Sequence, residues 1–406
     1  MNIQQRECFQ TIIQATTQHN RQETSSCFFL QGPAGTGKTF LYKCLCAYFR
    51  SQGKIVLCVA SSGIAAQLLP GGRTAHSRFK IPLSNDLTAN CNIAKNSELA
   101  DLIRQTELII WDEVPMQHQA CFEAVNRTLN DLGDSEPGRI FGGIPIILGG
   151  DFAQILPVVR RGSKQATILA CIQHASIWSK LKILRLTQNM HIIEGTQNQQ
   201  YLQFLHSLTY NEMYYGQPDL PSYIHCVHTT NALCSAIYPP ELLHNSPFLH
   251  DSFKGRSSLS YTNDAATEFN QNLIAAMPGD IHEFYSVNSL DINDEATEAE
   301  PLPAEYLQSI ELPSLPPAIL KLKVGAPAIL LRNLSPKEGM CNGTRIRIVA
   351  LGRNCLKVAI LGGAFDGMIR LISRIKLTSF EDDLPFLLTR KQFPIRLCFA
   401  MTVNKS

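Results

Sequence analysis

Through the first part of the chain, short continuous apolar runs alternate with segments whose apolar residues recur every three or four positions. The runs Cys27 to Leu30, Lys54 to Ala60, Leu108 to Trp111 and Ile144 to Leu148 read as buried strands. Met1 to Gln18 (Cys8, Ile12, Ile13, Ala15), a segment carrying Leu41, Cys44, Leu45 and Tyr48, and Cys121 to Leu132 read as helices. Strands and helices in this alternation predict a parallel sheet covered by helices. The pattern changes after about residue 190. Ser257 to Leu320 holds no Lys or Arg, while Asp291, Asp294, Glu295, Glu298 and Glu300 sit among prolines, which predicts an acidic, mobile linker. Beyond it, Lys321 to Val324, Ala326 to Leu331, Arg345 to Leu351, Leu356 to Leu361 and Met368 to Leu377 read as short strands. They are split by Asn342-Gly343 and Gly362-Gly363 turns, as in a small β-barrel.

Composition narrows the class. A chain of 406 residues usually forms two or three domains. No apolar run is long enough to span a bilayer and no cationic-then-apolar leader precedes the first helix, so an intracellular address is expected and no membrane partner. The 13 cysteines include no CxxC pair and fall mostly in apolar stretches (Cys27, Cys58, Cys398), so they read as core thiols. The 11 histidines form no ligand cluster, which leaves no metal site beyond that of a nucleotide. A net charge of +2 leaves room for a local basic groove.

Three constellations carry chemistry. The first follows the strand ending at Leu30: Gly32, Gly35, Gly37, Lys38 and Thr39 form a phosphate-binding P-loop between strand and helix. Its backbone N–H groups suit the oxygens of ATP or GTP, Lys38 reaches the β/γ-phosphates, and the Thr39 hydroxyl suits Mg²⁺. The second is Asp112-Glu113 at the end of an apolar strand. Beside a P-loop, Asp112 can hold Mg²⁺ through water, and Glu113 can deprotonate the water that attacks the γ-phosphate. The third is Gly149, Gly150, Asp151 and Gln154 after another buried strand. Gln154 contacting the γ-phosphate and Asp151 capping a tight turn stand as equal readings.

The runs LGGDFAQILPV after WDE, VASSGIAAQLLPGGRTAHSRFKIP at Val59 to Pro82, and LKVGAPAILLRNLSPKEGMCNGTRIRI at Leu322 to Ile348 resemble the petite-integration-frequency (Pif) DNA helicases. They resemble especially the helicase part of Helitron-type transposon proteins, over nearly the whole chain. The resemblance implies an ATP-dependent, Mg²⁺-requiring motor of superfamily 1B that moves 5′ to 3′ on single-stranded DNA and opens duplexes at junctions. Repair, recombination, telomere maintenance and transposition all use such a motor, and a nuclear address would follow. It further implies that Gln5 reads adenine and that Gln154 senses the γ-phosphate. The DNA track would run over Ser61, Ser62, Thr74, His76 and Phe79, then Thr262 and Asn263 at a helix start. His76 and Phe79 have core packing as the alternative. Arg370, Arg374, Lys376, Arg390, Lys391 and Arg396 are the expected groove charges, with solvated surface as their alternative.

The implied fold is α/β: a P-loop RecA-like parallel-sheet domain, plus an incomplete second RecA-like domain carrying an inserted small β-barrel. The expected boundaries are 1–190 for the ATPase domain, 191–285 for the start of the second domain, 286–320 for the acidic linker, 321–380 for the barrel and 381–406 for the return. Two departures from the family stand out. His191 follows Asn-Met where the family usually has arginine. FAMTVNKS lies inside the family's fifth motif, so a truncated second domain is expected. A chain that binds ATP and single-stranded DNA without productive unwinding is therefore the second reading. An unrelated P-loop ATPase acting on RNA or protein is the third.

Overall fold

Buried strands followed by helices with one apolar face can hide both sheet surfaces only as a parallel, helix-covered sheet. The computed structural model, which describes residues 1–17, 26–133, 139–159, 162–190, 197–210, 219–245, 250–291, 302–312, 314–379, 384 and 386–402, has that arrangement in its first part. The chain divides into two compact units, Met1–Pro221 and Ser222–Lys405. His191, Asp294, Glu295, Glu298, Glu300 and the chain from residue 403 lie outside the described residues.

The first unit is built on β1 (Cys27–Gln31), β2 (Ile55–Ala60), β3 (Arg73–Thr74), β4 (Thr106–Asp112), β5 (Ile146–Gly150) and β6 (Lys182–Arg185). They form a six-stranded sheet in the order β3-β2-β4-β5-β1-β6, every pair parallel. Its helices are α1 (Ile3–Thr17), α2 (Lys38–Ser51), α3 (Gly63–Leu68), α4 (Ala75–Phe79), α5 (Glu98–Arg104), α6 (Gln119–Leu132), α7 (Lys164–Leu169) and α8 (Gln197–Tyr210). One apolar cluster lies on each sheet face: Phe29, Trp111, Phe122 and Phe141 on one side, Phe28, Leu41, Tyr42 and Phe49 on the other. The inward stripe of α2 runs through Leu41, Tyr42, Leu45, Cys46 and Phe49, whereas Cys44 and Tyr48 are only half-buried. The stripe is therefore rotated from the one read in the sequence, because Tyr42 and Phe49 carry more apolar surface inward.

The second unit contains α9 (Thr230–Ile237), α10 (Pro240–Asn245), β7 (Ser258–Ser260), α11 (Asn263–Ala276), β8 (His282–Tyr285), β9 (Val287–Asp291), α12 (Ala304–Ser309) and β10 (Ile319–Leu322). There follow β11 (Pro327–Leu330), β12 (Arg345–Leu351), β13 (Cys355–Ile360), β14 (Ile369–Ser373), β15 (Ile375–Thr378), β16 (Leu387–Gln392), β17 (Ile395–Leu397) and β18 (Ala400–Thr402). An antiparallel five-stranded sheet has the order β14-β13-β12-β11-β17, and β15-β16-β9 form a second, three-stranded sheet. A parallel pair, β18 with β7, packs beside α11, so this unit also contains an α/β portion. Strand β9 and helix α12 fall within the stretch read as acidic linker, and β9 is hydrogen-bonded to β16 along its length.

The single strand expected over Met368 to Leu377 is two strands in different sheets. The break falls at Arg374, whose Nη1 donates to the Tyr285 carbonyl at 2.6 Å and whose guanidinium lies over the Phe393 ring at 5.1 Å. Stacking and hydrogen bonding hold the cation between the sheets, and the chain turns there.

Candidate nucleotide site and the residues around it

The P-loop leaves β1 between β5 and β6, the two strands that flank it. Gly32 N–H donates to Gly150 O at 3.2 Å, tying the start of the loop to the end of β5. Gly35 and Gly37 have φ of +83° and +84°, a region that L side chains rarely occupy. A Cβ on Gly35 would also sit 2.7 Å from Asn189 Nδ2, and one on Gly32 would sit 2.6 Å from Thr36 Oγ1. Glycine is thus required by both conformation and space. The Lys38 ammonium is buried inside the loop and donates to Gly32 O at 2.6 Å. Thr39 follows on the first turn of α2, half-buried.

The acids come from the neighbouring strands. Asp112 closes β4, is 6% exposed, and accepts a hydrogen bond from Tyr42 Oη at 3.3 Å. Burial raises its pKa, while the backbone N–H of Glu113, the charge of Lys38 and the Tyr42 hydroxyl pull it back. Glu113 has φ of +56°, costly for a residue with a Cβ. Its carboxyl is also pushed up, first by burial, then by Asp112, with Asp151 adding to the effect and Lys38 opposing it. A buried and a half-buried acid beside one lysine suit a divalent cation, and a threonine hydroxyl with a carboxylate is a donor set for Mg²⁺. The residues present therefore fit a nucleoside triphosphate with its metal. Among the described residues there is no further cluster of metal-ligating side chains.

Asp151 Oδ1 accepts from Ala153 N–H at 3.0 Å, and Gln154 is an exposed loop residue whose N–H donates to Asp151 O at 3.1 Å. The turn reading of Asp151 thus holds in the structure. Gln5 is 2% exposed: its Nε2 donates to Thr36 O at 3.0 Å and its Oε1 accepts from Asn2 N–H at 3.0 Å. Asn2 Oδ1 in turn accepts from Gln5 N–H at 2.8 Å, a reciprocal cap at the start of α1. The Nε2 end of the Gln5 amide therefore braces the P-loop, while the Oε1 end is held by the start of α1. Met190 N–H donates to Gly35 O at 2.8 Å and Asn189 Nδ2 to Ala34 O at 3.1 Å, so the chain after β6 straps the loop from the other side.

Of the expected DNA-track residues, Ser61, Ser62, Thr74 and His76 gather at and just past the ends of β2 and β3, all half-buried. Ser62 caps α3 and Thr74 precedes α4. Phe79 is 0% exposed, its ring 5.6 Å from that of Trp111, so it belongs to the core and offers no face to a ligand. In the second unit Thr262 caps α11 through Ala265 N–H at 3.2 Å, and Asn263 is exposed beside it. Both line a cavity of about 730 Å³ with Tyr261, Lys321 and Arg396. Arg390 is not a groove charge: it is 0% exposed, because four neutral acceptors enclose its guanidinium. The sequence reading missed Tyr42, Asn189 and Gln117. The helical spacing from Lys38 through Tyr42 to Phe49 could have exposed the first, but no local pattern marks the others.

The sequence profile of the family described as PIF1-like helicase matches residues 1–211, and that of the DNA helicase Pif1, 2B domain, matches residues 305–351. The chain is 28% identical over 324 residues to the ATP-dependent DNA helicase Pif1 of Psychrobacter sp. (strain PRwf-1), covering 79% of this chain and 44% of that protein. It is 26% identical over 387 residues to the ATP-dependent DNA helicase PIF1 of Homo sapiens, covering 93% of this chain and 52% of that one. The chain thus spans about half the length of these curated relatives. Among solved structures it is similar to a Pif1 helicase studied at forked double-stranded DNA, with a TM-score of 0.65 and 21% identity over 99% of this chain and 82% of that one. It is also similar to the Pif1 helicase from Candida albicans, with a TM-score of 0.63 and 22% identity over 99% of this chain and 85% of that one. These structural likenesses establish the fold: a parallel-sheet α/β core with additional sheets, consistent with RecA-like domains.

Proposed function

The chain belongs to the PIF1-like helicase family, and from that premise we propose that it is an ATP-dependent DNA helicase moving 5′ to 3′ on single-stranded DNA. The observation that carries the proposal is the glycine-shaped P-loop around Lys38 set beside buried Asp112 and half-buried Glu113. Mg²⁺, when bound with ATP, supplies positive charge at the β/γ-phosphate oxygens. Lys38 and the loop N–H groups bind those oxygens, and Thr39 and Asp112 hold the cation. Glu113 takes the proton of the attacking water, and Gln154 orients the γ-phosphate. Ser61, Ser62, Thr74 and His76 in the first unit, with Thr262 and Asn263 in the second, hold the strand. Grip through backbone phosphates makes affinity fall steeply with salt and leaves sequence preference modest.

The finer reading includes the Helitron type, a nuclear address and work in repair, recombination, telomere maintenance or transposition. Its support is the set of sequence runs quoted above. The reading of 1–190 and 191–285 with 381–406 as RecA-like domains, and of 321–380 as an inserted barrel, is supported by the parallel six-stranded sheet and the antiparallel five-stranded one. His191 favours the second reading, binding without turnover, since imidazole lacks the fixed charge and fork of arginine.

The test is ATPase rate with and without single-stranded DNA on this chain and on Lys38→Ala, followed by unwinding of duplexes with 5′ or 3′ tails. A DNA-stimulated rate lost in Lys38→Ala, with unwinding only from the 5′ tail, is expected. Nucleotide and DNA binding without a rate above the variant would replace the helicase by the binding-only reading. Stimulation by RNA or protein alone would overturn both.

A further inference from the structure

Gln117 is 6% exposed and stands just after the short turn that follows Glu113. Its Oε1 accepts from Ser61 Oγ at 2.9 Å and from Trp111 Nε1 at 3.3 Å. Indole nitrogen only donates, which fixes the amide oxygen on that side and turns Nε2 toward His76 Nδ1, 3.5 Å away. His76 must then accept at Nδ1 and carry its proton on Nε2, which faces Cys121 Sγ at 3.9 Å. Burial lowers the His76 pKa, in keeping with a neutral ring.

The same network holds the backbone next to Glu113. Ser61 N–H donates to Asp112 O at 3.1 Å, and the Ser61 hydroxyl lies 3.4 Å from that carbonyl. Asp112 O belongs to the peptide group that leads into Glu113, whose left-handed conformation persists only if its surroundings hold it. Gln117 N–H closes the following turn on Val114 O at 3.1 Å. One buried amide thus joins the ends of β2 and β4, helix α4, and the turn carrying Glu113.

We propose that Gln117 is a positioning residue through which single-stranded DNA on the Ser61 and His76 side sets the placement of Glu113. The proposal rests on the helicase reading above. DNA that draws on Ser61 or His76 changes the hydrogen bonds of Gln117, and Gln117 passes the change to the Asp112-Glu113 peptide. Gln117 itself touches neither nucleotide nor DNA.

The chain has 2 tryptophans, so Trp178→Phe leaves Trp111 as the reporter at the Gln117 contact. In that parent, and with Gln117→Met added, a poly-dT oligonucleotide is titrated while Trp111 emission, kcat and KM for ATP are measured. Methionine keeps the volume and removes the hydrogen bonds. The expected result is a Trp111 emission change on DNA binding in the parent that is lost in Gln117→Met. DNA-stimulated kcat should fall at least about tenfold, with KM for ATP and affinity for the oligonucleotide within about threefold. A merely structural glutamine would lower the melting temperature and leave the stimulation ratio unchanged; that ratio unchanged in folded Gln117→Met overturns the proposal. Should Gln117→Met fail to fold, Gln117→Asn, too short to span both partners, carries the same measurements with the same two outcomes. A parent without DNA-stimulated ATPase overturns the helicase reading and this proposal together, whereas a stimulated parent with an equally stimulated variant overturns this proposal alone.

Discussion

Arg390 is buried without a carboxylate among its hydrogen-bond partners, and its removal is the most quantitative test of the second unit. Its Nε donates to Asn288 Oδ1 at 2.8 Å, Nη1 to Pro316 O at 3.1 Å, and Nη2 to Leu307 O at 2.9 Å and Ile310 O at 3.0 Å. Burial lowers its pKa, with the charge of Glu311 opposing. The guanidinium thereby fastens α12 and the segment after it onto β16, above a small apolar cluster of Leu307, Leu315, Leu377 and Leu388. Arg390→Met strands the three backbone carbonyls. At about 1–3 kcal/mol for each buried acceptor, that is roughly 3–9 kcal/mol. From the middle of that range, about 6 kcal/mol, relief from burying a charge takes back about 1–4 kcal/mol, leaving a net loss of about 2–5 kcal/mol. Arg390→Lys keeps charge but not the fork, and should lose about 2–3 kcal/mol.

Urea unfolding followed by circular dichroism measures the loss: with a slope of about 2 kcal/mol/M, the transition of the second unit should move down by about 2 M. Both tryptophans, Trp111 and Trp178, lie in the first unit, so tryptophan fluorescence should report an unmoved transition there. Hydrogen exchange should quicken first over residues 302–316. A shift below about 1 kcal/mol would refute the idea that Arg390 holds this segment.

Two further changes probe the nucleotide site. Gly149→Ala drives a Cβ onto Tyr42 Oη and to 3.2 Å from Asp112 Oδ1, so a loss of about 1–3 kcal/mol in a thermal melt and of nearly all ATPase is expected. The raised pKa values of Asp112 and Glu113 mean that the folded state binds their protons more tightly than the unfolded state. Stability therefore falls as pH rises from the ordinary carboxylate range through the folded values. Asp112→Asn removes its share of that cost, so melts across pH should show the variant more stable at neutral pH, the gain vanishing in acid. ATPase moves the other way, because Glu113 must be ionised to accept a proton; its acid limb should lie above the ordinary carboxylate range.

Local signals in the chain led to the right elements where periodicity and turn chemistry decide them. Arg345 to Leu351 is a strand with the bounds that its alternation marks, and Cys121 to Leu132 lies within α6. The P-loop was legible because strand, glycines, lysine and helix are contiguous. Phe79 and Arg390 were misplaced because burial is a property of the whole unit: an aromatic near a polar run and an arginine in a strand carry no mark of which way they face. Gln5 is read as an adenine contact from the resemblance, and the structure adds what no local pattern marks, that its amide also binds Asn2 N–H and the Thr36 carbonyl 31 positions away.

By itself, then, the sequence determined the four central strands of the first sheet with helices α1, α2 and α6, that a triphosphate loop lies after β1, and which acids could serve it, since these depend on spacing along one stretch of chain. Only the tertiary structure decided that β4, β5 and β1 stand side by side, that Glu113 is held left-handed, and that Gln117 reaches Ser61 across 56 positions. The physical reason is that strand order and buried hydrogen bonds are chosen by burying both sheet faces and pairing every enclosed polar group at once, and no local window of sequence contains that condition.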